Sequence, residues 1–211
     1  MVNLVHLEIS QLSNSAALTC CQQFVKRYCL NNQFKIRKKI MRIIGIDPGL
    51  RRTGWGVINF DGMKLKHVSN GVCKSNSSKN LASRLLEIYD QLREIVKRYQ
   101  PKAAAVENTF VSKDPLGALK LGHARGIALL VPAEFEIPVF EYAPNTIKKL
   151  VVGAGHADKK QVEYMVKLQL PGVLIKSVDS SDALAIALCH AYQSNFKGRL
   201  DDAISKAGIG R

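Results

Sequence analysis

The strongest constraint on the fold is a run of three strand-like segments followed by a helix that leads into a fourth strand. Met41-Arg-Ile-Ile-Gly-Ile46 is short, apolar and rich in β-branched residues, the pattern of a buried strand. Asp47-Pro48-Gly49 ends it, because proline and glycine punctuate strands. Residues 53–60 and 64–72 read as two more strands, and Asp61-Gly62 between them is a hairpin signal. Leu81, Leu85, Ile88, Leu92, Ile95 and Val96 then recur at helical spacing over residues 81–99, with charges on the opposite face. Pro101 closes that helix. Ala103-Ala-Ala-Val106 follows as a strand parallel to the first, completing a β-helix-β crossover. Downstream, residues 116–133 read as helix and Val139-Phe-Glu-Tyr142 as a fifth strand between Pro138 and Pro144. Residues 145–151, 159–168 and 180–196 read as three final helices. The predicted class is α/β, a mixed five-stranded sheet flanked by helices.

Charge narrows the partners. The 211 residues carry 31 Lys and Arg against 17 Asp and Glu, a net +14. A basic domain of this size suits a polyanion, most commonly nucleic acid. No apolar run approaches the roughly 18 residues that cross a bilayer, so no membrane partner is expected. The five cysteines are odd in number and form no CxxC pair, which reads as reduced thiols in a cytoplasmic protein without a zinc site. Residues 1–40 stand apart. They hold Cys20, Cys21 and Cys29 and contribute +5 of the +14, leaving +9 on the remainder. They lack the basic start and apolar centre of a secretory signal. They are read as an N-terminal extension, or as sequence ahead of the true start, with Met41 opening a domain over residues 41–196 and residues 197–211 forming a tail.

Four acids sit where chemistry would want them. Asp47 ends the first strand and Glu107 the fourth, and sites in α/β sheets lie at the carboxyl ends of strands. Asp179 and Asp182 open the last helix, three positions apart and on one face. Each has an ordinary structural explanation. Asp before Pro-Gly is a turn residue, Glu107 can end a strand at the surface, and Asp179-Ser-Ser-Asp182 has the form of a helix cap. Together in a basic chain they point elsewhere. Converging carboxylates must take up protons or bind a cation, and an all-oxygen site suits a hard divalent ion. Two such ions about 4 Å apart can clamp the attacking and leaving oxygens of a phosphodiester.

The element order is that of ribonuclease H-like domains, and the motifs resemble one family within them. Ile43-Ile-Gly-Ile-Asp-Pro-Gly49 with Thr53-Gly-Trp-Gly-Val57 resembles the opening of the RuvC family of Holliday-junction resolvases. So do Val106-Glu-Asn-Thr-Phe110, Ala118-Leu-Lys-Leu-Gly-His-Ala-Arg-Gly126, Tyr142-Ala-Pro-Asn-Thr-Ile-Lys148, Val151-Val-Gly-Ala-Gly155 and Asp179-Ser-Ser-Asp-Ala-Leu-Ala-Ile-Ala187, in family order from Met41 to about His190. The resemblance implies that Asp47, Glu107, Asp179 and Asp182 are catalytic acids holding Mg²⁺, two ions per subunit during catalysis, with Mn²⁺ able to substitute. It implies a homodimer that nicks opposed strands of four-way junction DNA, leaving 5′-phosphates and 3′-hydroxyls, and works with the RuvA–RuvB complex in recombination and repair. Lys148 and Lys159 match family lysines near the cut strand, Phe110 matches an aromatic that stacks on a base, and Lys113, Lys120 and Arg125 are candidate backbone contacts.

The same residues allow other roles. Lys148 and Lys159 can be ordinary solvated lysines and Phe110 a core residue. Gly153-Ala-Gly155 can meet a phosphate or make a tight turn between helices. His123, His156 and His190 show no ligand spacing. The Asp47-Pro-Gly loop is also similar to the phosphate loop of actin-like sugar kinases, which need two copies of the fold where this chain has one. Two further functions suit the same pattern: a ribonuclease H-like nuclease with another substrate, such as an RNA–DNA hybrid, and a non-catalytic junction-binding protein.

Overall fold

The structure, a computed structural model, describes residues 40–108 and 114–207, with backbone alone for 197–207. Strands β1 (Met41–Asp47), β2 (Arg52–Phe60) and β3 (Leu65–Lys74) form the expected antiparallel meander. Asp61 closes the β2–β3 hairpin, its Oδ1 accepting from the backbone N–H groups of Met63 and Lys64 at 2.9 and 2.7 Å. Helix α1 (Leu81–Tyr99) is capped by Asn80, whose side chain accepts from Ser83 N, and ends where Gln100 turns left-handed. It returns the chain to β4 (Ala103–Glu107), which lies parallel to β1. Helix α2 (Pro115–Glu134) then leads to β5 (Val139–Tyr142), parallel to β4. The sheet order is β3-β2-β1-β4-β5, a mixed five-stranded sheet as read from the sequence. Helices α3 (Pro144–Val152), α4 (Lys159–Gln169) and α5 (Val178–Ala207) complete the chain.

The two-residue period of the strands sorts the core. Ile44, Ile46, Ala104 and Val106 point to one face and bury α1 and α2 residues such as Leu92 and Val131. Ile43, Ala103 and Ala105 point to the other, against Leu184, Ile186 and Leu188 of α5 and against α3 and α4. By that alternation Asp47 and Glu107 belong to the α5 face. No helix of the described residues is long and apolar enough to cross a membrane. Cys73 and Cys189 are free and buried.

The last helix departs from the expectation at both ends. It runs on to Ala207 instead of stopping near residue 196, because the sequence there carries good helix formers and Gly198 costs only about 1 kcal/mol. It also begins earlier, at Val178. Ser177 is the cap: its Oγ accepts from Ser180 N at 3.2 Å, and Ser180 Oγ accepts from Ser177 N at 3.0 Å. The cap reading of Asp179 is therefore corrected. Asp179 lies inside the first turn, and its carboxylate is released from backbone duty.

Candidate active site

The site is built by letting a helix lie directly on the sheet. A Cβ at Gly45 of β1 would fall 2.0 Å from Ala183 O, and one at Gly54 of β2 would fall 2.0 Å from Asp179 O. Only glycine allows that approach. It sets the first turns of α5 over the carboxyl end of β1, where Asp47 pairs with Gly54. Glu107 arrives from the neighbouring strand. Ile46 is aligned with Val106, so Asp47 and Glu107 are the next residues along on the same face. The Asn108 backbone N–H donates to Tyr142 O at 2.8 Å and fixes the end of β4 against β5.

Electrostatics shows the convergence. Burial, followed by the charges of Glu107, Asp182 and Asp179, pushes the Asp47 carboxyl up to about 8. Glu107 is raised by burial and then by Asp182, while the charge of Lys159 and then a side-chain hydrogen bond from Asp47 pull it back. Asp182 is raised by burial, opposed by Lys159. At neutral pH Asp47 therefore carries a proton and can donate it to Glu107. The turn at Asp47-Pro-Gly does not use the Asp47 carboxylate. Thr53, fully buried, holds it instead, its Oγ1 donating to Gly49 O at 2.8 Å and accepting from Gly49 N at 3.3 Å.

Cations face these acids. Lys159, at the start of α4, reaches Asp182 Oδ2 at 3.4 Å. Its helix is fixed by an Asp158–Gln161 capping box. Lys148 on α3 lowers both Glu107 and Asp182 through its charge. Arg52 Nε meets Asp179 Oδ2 at 2.7 Å. Sequence reasoning missed Arg52; a second arginine at the edge of the Asp47 loop was its only trace. Among the described residues no three or more His, Cys, Asp or Glu side chains are drawn into metal-binding geometry. Asp179 and Asp182 are instead turned toward Arg52 and Lys159. The donor set still fits a hard divalent ion, because it is all oxygen, partly buried and mutually repelling.

The remaining candidates divide. Lys120 is exposed on α2. Arg125 forms an ion pair with Glu141 of β5 and is only partly exposed. Phe110 and Lys113 lie outside the described residues, as does the extension before Ile40. Gly153, at φ 86°, is the left-handed cap of α3, its N–H donating to Lys149 O. His190 is buried, with Nδ1 hydrogen-bonded to Tyr142 Oη at 2.7 Å.

Known proteins match this arrangement. A family model described as crossover junction endodeoxyribonuclease RuvC covers residues 43–190. The RuvC of Cereibacter sphaeroides is 56% identical over 167 residues, 79% of this chain and 99% of that one. The RuvC of Ruegeria pomeroyi is 59% identical over 152 residues, 72% of this chain and 92% of that one. The structure of T. thermophilus RuvC in complex with Holliday junction substrate matches at TM-score 0.70 and 33% identity, covering 74% of this chain and 96% of that one. A yeast mitochondrial Holliday junction resolvase, 14% identical with TM-score 0.53, shares the fold. From the buried strand that carries Asp47 to the turns of α5 beyond Asp182, this chain belongs to the crossover junction endodeoxyribonuclease RuvC family.

Proposed function

We propose that this protein is a divalent-metal-dependent endonuclease that resolves four-way DNA junctions by paired, symmetric nicks. One observation carries the reading. In a chain of net charge +14, the carboxyls of Asp47, Glu107 and Asp182 are crowded at one end of the sheet and held above the usual carboxylate range. A basic protein has no structural use for such a cluster, whereas a scissile phosphate approached through a divalent cation does. Asp47, Glu107, Asp179 and Asp182 would hold Mg²⁺, with Mn²⁺ as a substitute. When bound, the ions supply the positive charge that activates water and neutralises the leaving 3′ oxygen.

The chain's own residues do the rest. Asp47 would have to give up its proton to hold an ion, so ion binding and proton release would be linked. Lys148 and Lys159 flank the acids and would offset charge on the phosphate as it passes through five-coordination. The products would carry 5′-phosphates and 3′-hydroxyls. A homodimer belongs to the same reading, since a two-fold junction needs two sites related by a two-fold axis. Helix α2 offers an apolar stripe for it: Leu116, Leu119 and Leu130, which share one face, are 70, 60 and 56% exposed. Cooperation with a RuvA–RuvB branch-migration complex completes the proposal.

The test is a cleavage assay of purified protein on a synthetic four-way junction, a linear duplex and an RNA–DNA hybrid. The expected result in Mg²⁺ is a symmetric pair of religatable nicks in the junction and none in the duplex. Equal cutting of duplex, or cutting of the hybrid alone, would assign the site to another substrate.

A further inference from the structure

Asp179 is the one of the four acids whose carboxylate is held by an arginine. Arg52 Nε lies 2.7 Å from Asp179 Oδ2, and the fold fixes both partners. Arg52 opens β2 and is followed by the buried Thr53, which ties the preceding loop through Gly49. That loop is held again at Leu50, whose carbonyl accepts from Ser75 Oγ and from Arg84 Nη2. Two residues after Arg52, Gly54 lies against the Asp179 backbone. The pair is therefore set by tight packing, yet the Arg52 side chain stays 46% exposed and its guanidinium has further donors available. A carboxylate oxygen occupied by arginine is a poorer ligand for a cation, and a guanidinium is the side chain best suited to a phosphate.

We propose that Arg52 is a positioning residue that holds Asp179 in the DNA-free enzyme and transfers to a backbone phosphate when the cation takes Asp179. This rests on the nuclease reading and adds a coupling to it. Ion and DNA each remove one partner of the same ion pair, so each favours binding of the other. The free enzyme would then bind its ion weakly and acquire it fully on DNA.

The experiment is a Mg²⁺ titration of the DNA-free protein, read by thermal shift and calorimetry, for wild type, Arg52→Ala and Arg52→Lys. For a partly exposed ion pair, Arg52→Ala should tighten Mg²⁺ binding about two- to fivefold, with Arg52→Lys in between. Junction cleavage at saturating Mg²⁺ should show the opposite sign: a KM raised severalfold and kcat little changed. A purely structural tie between β2 and α5 would lower the Tm and leave the Mg²⁺ midpoint unmoved. That result, or weaker Mg²⁺ binding by Arg52→Ala, overturns the proposal. Asp47→Asn separates the two claims. If it abolishes the Mg²⁺ response while Arg52→Ala binds no more tightly, the coupling fails and the nuclease reading stands. If wild type shows no Mg²⁺ response with or without junction, both fail.

Discussion

Replacing Asp47 by Asn should stabilise the metal-free protein, by an amount that grows with pH. The Asp47 carboxyl is pushed from 3.8 to about 8 by burial and then by Glu107, Asp182 and Asp179. A carboxyl raised on folding favours the native state below its unfolded value, and that contribution is lost as pH rises toward the folded value. Each pKa unit corresponds to about 1.4 kcal/mol, so at pH 7 the unfolded chain gains up to about 4 kcal/mol by ionising this group. Relaxation of neighbouring side chains reduces the expected gain from Asp47→Asn to about 2–4 kcal/mol. Asn keeps a donor toward Glu107 and removes the titration. The assay is urea denaturation of both proteins in chelator at pH 4.5, 6 and 7.5. The variant should be close to wild type at pH 4.5 and clearly more stable at pH 7.5, and millimolar Mg²⁺ should narrow the gap by stabilising wild type alone. A variant less stable than wild type throughout, or a gap independent of pH, would make Asp47 an ordinary turn residue and refute the reasoning.

Three further outcomes follow from the packing. Gly54→Ala forces α5 away from β2 at Asp179, so junction cleavage should fall at least tenfold while the protein stays folded by circular dichroism. Lys148→Ala should lower kcat more than it weakens junction binding measured by anisotropy; the reverse would make Lys148 a plain backbone contact. Burial lowers His190 from 6.5 to about 4, so its contribution to stability is present above pH 6.5 and is lost as pH falls toward 4. The stability of wild type relative to His190→Gln should therefore drop by at most about 3 kcal/mol between pH 7 and 4.5 in urea melts, a bound set by the size of the shift.

Much of the sheet is legible in the sequence because each strand is short, apolar and punctuated. The run Ile43–Ile46 needs burial on both faces, and helices on the two sides of the sheet supply it. The acids are legible because Asp47 and Glu107 end strands β1 and β4, and the alignment of Ile46 with Val106 sets both on one face. What escapes is contact between distant residues of ordinary type. Nothing in Leu50-Arg-Arg-Thr53 announces that Arg52 meets Asp179, because the meeting depends on Gly54 admitting a helix onto the sheet. The start of α5 is misread because Asp179 is itself a good cap, while the capping Ser177 stands before a β-branched Val178 that gives no helix signal. The Tyr142–His190 pair is hidden for the same reason, each residue unremarkable until β5 and α5 face each other.

Oxygen ligands from four separated positions sharing one hard cation are the centre of the proposed chemistry. Anomalous diffraction from crystals of this protein soaked in Mn²⁺ measures that directly. The expected result is an anomalous peak within ligand distance of Asp47 and of at least one of Glu107 and Asp182, absent from Asp47→Asn crystals. Full Mn²⁺ exposure with no peak among these carboxylates, or a peak that survives Asp47→Asn unchanged, would contradict it.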